Sequence, residues 1–118
     1  MPEQTREQII VEALKHCSGS VIDAAMRYQT SRSDDDLRKV ILGVFERDLP
    51  ENKVAALETA TDESRIMEDL GMDSFGMISV IMTAEEVLGV TIANEELKGV
   101  TTLGALKQFL QSKVTAAA

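Results

Sequence analysis

Apolar residues recur at helical spacing in successive windows of the chain, separated by short polar or glycine-containing breaks. The first window holds Ile9, Ile10, Ala13, Leu14 and Cys17. It follows Thr5-Arg6-Glu7-Gln8, which has the form of a capping box, a Thr N-cap with Gln three residues on, so an amphipathic helix is predicted over 6–17. Ser18-Gly19 stops it. Ser20 is then the cap of a short second helix carrying Val21, Ile22, Ala24, Ala25 and Tyr28, and polar Gln29 to Ser33 reads as a loop. Ser33-Asp34-Asp35-Asp36 next places negative charge where free helical N–H groups and the macrodipole favour it. Leu37, Val40, Ile41, Val44 and Phe45 continue at i, i+3, i+4, i+7 and i+8, and Leu49-Pro50 ends this helix.

Residues 50–66 form a long connection with a helical turn expected at Val54 to Leu57. Connections of that length are uncommon unless functional, so Val54, Leu57 and Ile66 are expected to pack back onto the helices. Asp73-Ser74 opens a helix to Leu88, and Gly89 closes it. Asn94 is the expected cap of a short helix ending near Lys98-Gly99. Thr101 or Thr102 starts the last helix, which is predicted to reach Lys113 and leave 114–118 as a frayed tail. Helix 74–88 has two apolar stripes: Met77, Ile81, Ala84 and Leu88 at core spacing, and Phe75, Ile78 and Met82 on another face. A small helical domain rarely buries a helix all round, which leaves the second stripe for solvent or a partner.

Composition supports the helical reading. Aromatics are only 3%, yet 44% of residues are hydrophobic, enough for a core. With few β-branched clusters, no Asn-Gly or Asp-Gly hairpin signal and many good helix formers, the fold class is all-α. At 118 residues the chain suits one small domain, or a domain with an appendage. Charge then divides it. The net −8 comes from 20 acidic and 12 basic side chains, but residues 1–33 hold four of each and are neutral. The boundary falls at Ser33/Asp34, giving an N-terminal extension (1–33), a domain (34–113) and the tail. An acidic chain suits basic docking surfaces and repels a phosphate backbone, so no nucleic acid is expected. A lone Cys17 excludes an internal disulfide and a Cys-rich zinc site, and suits a reducing compartment. MPEQTREQ carries no apolar signal core and no membrane-length apolar run follows, so the expectation is a cytoplasmic, monomeric protein.

The most specific stretch is Glu68-Asp69-Leu70-Gly71-Met72-Asp73-Ser74. With Leu37 to Leu49, Glu85-Glu86-Val87-Leu88, Asn94-Glu95-Glu96-Leu97 and Val100-Thr101-Thr102-Leu103, in that order and spacing, it resembles the acyl carrier proteins. The resemblance covers 34–113 and implies a four-helix bundle, three main helices and one short, here preceded by a helical hairpin. It implies that Ser74, flanked by Asp73, receives 4′-phosphopantetheine from coenzyme A through a phosphopantetheinyl transferase. Acyl groups would then ride as thioesters and be presented to loading, transferring or condensing enzymes of fatty-acid, lipid or polyketide biosynthesis. No catalytic residue and no metal are implied; the chain is not itself an enzyme. The physical reading of Ser74 agrees, since a helix start favours an adjacent phosphodiester. A catalytic serine would want a histidine in reach, and the only one is His16, with no G-x-S-x-G elbow around Ser74.

By the same resemblance the face after the serine docks partners. Phe75, Ile78 and Met82 would form its contact surface, and Asp69, Asp73, Glu85 and Glu86 would steer basic partners. Three positions depart from the family pattern: Phe75 where Leu is usual, Ser79 at a mid-helix acidic position, and Ala84 where a larger core residue is common. They favour a specialised pathway, and Ala84 suggests room between helices for an acyl chain. The rival reading is an unmodified carrier-like interaction or regulatory module. The extension, across Glu7 to Lys39, is similar to the helix-turn-helix of Fis-type regulators, through Ile9-Ile10, Glu12-Ala13-Leu14, Gly19, Ala24-Ala25, Ser31-Arg32-Ser33 and Leu37-Arg38-Lys39. The would-be recognition helix begins with three carboxylates, however, and the carrier fold needs the same helix for its core. A hairpin packed on or tethered to the domain is the expectation. Cys17 is expected as a small buried hydrophobe and His16 on a helix surface.

Overall fold

The computed structural model describes residues 5–117, so the first four positions of the extension and Ala118 of the expected tail lie outside the described residues. Thr5 opens α1 (Arg6–Ala13) with the expected capping box: Thr5 Oγ1 accepts the Gln8 N–H at 3.1 Å, and Gln8 Oε1 accepts the Thr5 N–H at 2.9 Å. The helix ends at Ala13 rather than Cys17. There the Cys17 N–H donates back to the Leu14 carbonyl at 2.8 Å, a tightened turn that swings the chain into α2 (Gly19–Ser31). Ser18, not Ser20, occupies the N-cap. Gln29 to Ser31, expected as loop, are helical, because Tyr28 is buried and holds the last turn against the core. Arg32, in the left-handed region at φ 52°, stops the helix with its guanidinium over the Tyr28 ring.

α3 (Asp34–Asp48) has the expected cap, Ser33 Oγ accepting the Asp36 N–H, and buries the expected stripe of Leu37, Val40, Ile41, Val44 and Phe45. The helix that the helix-turn-helix likeness would place in a DNA groove therefore faces the core. A 3₁₀ helix over Glu51–Thr59 replaces the single turn expected there, and Val54, Leu57 and Ile66 do pack back onto the bundle. α4 (Ser74–Leu88) and its closing Gly89 lie where predicted. The short helix is a 3₁₀ turn, Asn94–Leu97, whose cap position is Ala93 rather than Asn94. α5 (Leu103–Ala117) does not fray at 114. Val114 is only 5% exposed and extends the buried row of Leu103, Leu106 and Leu110 by one more turn. Among the described residues the nearest thing to a strand is one isolated bridge, Arg65 to Thr102.

All five helices feed one core. Ile10 of α1 and Leu14 just beyond its end, both fully buried, join the same cluster as Phe45, Leu106 and Leu110, so the extension is packed on the bundle and not merely tethered to it.

A buried ammonium ties the far side together. Lys107 in α5 is 6% exposed and donates to Asp34 Oδ2 at 2.9 Å and to Asp62 Oδ1 at 3.1 Å. Arg38 adds a bond to Asp62 Oδ1 at 2.9 Å and another to the Ala60 carbonyl. The hydrogen bond from Lys107, with Arg38 beside it, holds the Asp62 carboxyl below its ordinary pKa. A depressed native pKa contributes stability above the unfolded value, about 3.9, and loses it as pH falls through the native one. Urea titrations across acid pH are therefore expected to show a falling limb that Asp62→Asn flattens. An identical limb in the variant would remove Asp62 from the account.

Candidate functional site

The segment leading to Ser74 is anchored at alternate residues. Arg65 opens it by donating its backbone N–H and its guanidinium to the Asp69 carboxylate, which is thereby held below the ordinary carboxylate range. The Ile66 N–H meets the Thr101 carbonyl at 2.8 Å, pinning the segment to the start of α5. Leu70 and Met72 are then buried at 2% and 3% exposure, and Gly71 between them takes φ 77°, a conformation in which a side chain would be strained. Burial of Met72 in turn requires Gly76: a Cβ there would run into the Met72 sulfur. The alternation buries Leu70 and Met72 and delivers Asp73 and Ser74 to the surface.

Asp73, not Ser74, is the cap of α4; its Oδ1 accepts the Gly76 N–H at 2.7 Å. Ser74 is the first helical residue and is exposed, so its hydroxyl has no capping duty. The N–H groups of Ser74 and Phe75 lie in the first turn, without intrahelical acceptors, at the positive end of a 15-residue helix. An exposed hydroxyl beside such N–H groups fits a phosphodiester linkage.

α4 buries Gly76, Val80, Thr83 and Val87, with Ile81 beside them. The core stripe expected at Met77, Ile81, Ala84 and Leu88 is thus displaced by one position; Met77, Ala84 and Leu88 are only half-buried. A helix apolar on nearly every side gives periodicity no direction to choose. The other stripe is where it was expected: Phe75, Ile78 and Met82 are 86%, 59% and 55% exposed, a ridge running from beside Ser74 down the helix. Ala84 leaves little room, bordering a void of only about 20 Å³. Larger grooves, ≈ 180 Å³ and ≈ 150 Å³, flank Met77, one against Ile66 and Val100 and the other against Ile92 and Leu97.

The expected steering carboxylates are mostly engaged within the chain. Glu85 is half-buried and accepts the Ile92 N–H at 2.9 Å, Asp73 caps the helix, and Asp69 pairs with Arg65. Glu86 is exposed. His16 is exposed beyond the end of α1, and Cys17 is half-buried rather than buried, its thiol 3.8 Å from the Gly43 carbonyl and its pKa raised by desolvation. Among the described residues no His, Cys, Asp and Glu group could hold a metal, and no helix is long and apolar enough to cross a membrane.

Two arginines with no sequence signal of their role border this helix. Arg6 Nη2 donates to the Glu86 and Val87 carbonyls at 2.9 and 2.7 Å, filling acceptors at the C-terminal end of α4. Arg47, paired with Asp48, reaches from α3 to the Ala13 carbonyl at 3.2 Å, Ser79 Oγ at 3.3 Å and Thr83 Oγ1 at 2.8 Å. Ser79, at the position where the carrier pattern has an acid, is thereby turned to an internal arginine.

Comparison with known proteins gives a consistent result. Residues 36–110 match the family profile described as the phosphopantetheine attachment site. The chain is 31% identical over 72 residues to an acyl carrier protein of Saccharopolyspora erythraea, covering 61% of this chain and 76% of that one. It is 33% identical over 72 residues to an acyl carrier protein of an Arthrobacter strain, with 61% and 88% covered. Against polyketide-8 synthase acyl carrier protein 2 of Streptomyces avermitilis the identity is 29% over 85 residues, 72% of this chain and 88% of that protein. No solved structure matches significantly.

Proposed function

The chain belongs to the acyl carrier proteins of the phosphopantetheine attachment-site family, and on that premise we propose that Ser74 is its attachment residue, with Asp73 as the cap that holds it. As a family member it carries acyl groups on covalently bound 4′-phosphopantetheine. The bound group supplies a thiol for thioester chemistry at the end of a long tether. The chain's own residues position and present. Leu70 and Met72 fix the segment, Asp73 orders the first turn, and the N–H groups there take the charge of the phosphodiester. The observation that carries the assignment is an exposed serine relieved of capping by its neighbour.

The Phe75–Ile78–Met82 ridge is the contact surface for the transferase and for acyl-loading, transferring or condensing enzymes. Glu86, Glu85, Asp69 and Asp73, within a net charge of −8, bring basic partners towards it. The grooves beside Met77 suit an apolar chain better than the small void at Ala84. Chemistry resides in the visiting enzymes, and the chain itself turns nothing over. The pathway is fatty-acid, lipid or polyketide assembly in the cytoplasm, with departures at Phe75, Ser79 and Ala84 favouring a specialised one.

Intact mass after incubation with coenzyme A and a broad-specificity phosphopantetheinyl transferase tests the assignment. One phosphopantetheine, located by fragmentation on the peptide containing Ser74, is expected. An arm on another residue overturns the site, and no arm at all favours the unmodified interaction module.

A further inference from the structure

The extension is neutral, lies outside the family match and is nevertheless bound to the helix that carries the proposed docking ridge. α1 is joined to α4 at both ends. Arg6 grips the carbonyls of Glu86 and Val87, while Arg47 bridges the Ala13 carbonyl to the Ser79 and Thr83 hydroxyls. Arg6 precedes Ala13 in α1, but its contacts follow those of Ala13 along α4, so the two helices run antiparallel. Between the two latches Ile10 is fully buried. Ser79 and Thr83, one turn apart, lie on the flank beside the ridge, and α1 lies against that flank. On the opposite side Ile81 is buried and Glu85 is held by the Ile92 N–H, and between α4 and the short 3₁₀ helix lies the groove of ≈ 150 Å³ lined by Ile78, Met82 and Leu97. What remains open to solvent along α4 is the ridge, with exposed Glu86 one turn beyond Met82, and the groove on the side away from α1.

We infer that α1 is a selectivity collar on α4. Resting on the reading of Ser74 as the attachment site and of the ridge as the docking surface, it seals the Ser79–Thr83 flank and admits only a partner that grips the ridge from one side. The side chains on that ridge are Phe75, Ile78 and Met82, with Glu86 exposed one turn on, so the partner's complementary surface is an apolar hollow with basic charge at one edge rather than a row of lysines or arginines straddling both flanks. An enzyme shaped to embrace both flanks meets the collar first. It binds only the fraction of molecules in which α1 has lifted, and its apparent affinity falls by that fraction.

The test uses the full-length apo protein as wild type, Arg6→Ala and Ile10→Ala, with hydrogen exchange of the α1 amides recorded for each. Coenzyme A and a broad-specificity phosphopantetheinyl transferase that serves carriers lacking an extension supply the readout, the initial rate of arm transfer. Loss of α1 protection is expected to lower KM at least about ten-fold, with kcat little changed, as removal of a closed state requires. Ile78→Ser is expected to raise KM in every background. A purely structural role for the hairpin would lower Tm in the variants and leave KM alone. An unchanged KM in a variant whose α1 amides have lost protection overturns the collar. Retained protection in both variants overturns it too, since the latches would then not be what holds α1 down. Failure of every protein, wild type included, to take up the arm is a different result: it overturns the attachment reading itself.

Discussion

Ser74→Ala is expected to take up no phosphopantetheine while unfolding within about 0.5 kcal/mol of the wild type. Complete loss follows from the proposed linkage, a phosphodiester to this hydroxyl, since the neighbouring Asp73 carboxylate offers no equivalent nucleophile and is already bonded to Gly76. Stability is retained because Ser74 is exposed at the first helical position and Asp73 makes the cap. Alanine is, besides, the better helix former. Asp73→Ala should show the opposite balance in its stability, losing about 1 kcal/mol with the cap. Intact mass and urea denaturation of the two variants side by side check the pair of effects. An arm on Ser74→Ala would move the site elsewhere, and a large loss of stability in it would mean that the hydroxyl has a structural duty.

Phe45→Ala is expected to remove about 3–5 kcal/mol, the usual range for deleting a buried aromatic from a rigid core. Phe45 is fully buried in α3, within the cluster that joins the extension to the bundle. α3 packs against α2, α4 and α5, so no single element can move in to fill a hole left there. The loss is a large share of the roughly 5–15 kcal/mol that holds a domain folded, and Tm should fall by at least about 10 °C. Equilibrium urea unfolding with far-UV circular dichroism measures it. A change below about 1 kcal/mol would mean that the site collapses around the smaller side chain.

The sequence alone was sufficient for the helical registers with strong local signals. The capping box at Thr5, the Ser33 cap with its three aspartates, the stripe from Leu37 to Phe45 and the Gly89 stop all lie where the chain's own chemistry put them. So does the exposed row of Phe75, Ile78 and Met82. These features rest on contacts between residues three or four apart, which a helix brings together wherever it lies. The helix start at Asp73-Ser74 was legible for the same reason: Asp73 acts on its immediate neighbours.

What lay beyond reach depended on partners distant in the chain. α5 continues past Lys113 because Val114 finds the core, which its sequence neighbours do not reveal. Gln29 to Ser31 are helical because Tyr28 is buried. Glu85 looks like a free surface carboxylate until the Ile92 N–H is found beside it, seven residues on. The buried side of α4 was displaced from its expected position by one residue, since apolar residues surround that helix and only the packing of its neighbours selects a face. The neutral extension changed most. Composition set residues 1–33 apart as an appendage, whereas the tertiary structure joins Ile10, Leu14, Val21, Ala24, Ala25 and Tyr28 to the core and places α1 against α4. Long guanidinium arms reaching carbonyls 34 and 80 positions away decide that arrangement, and no local pattern encodes where such an arm will land.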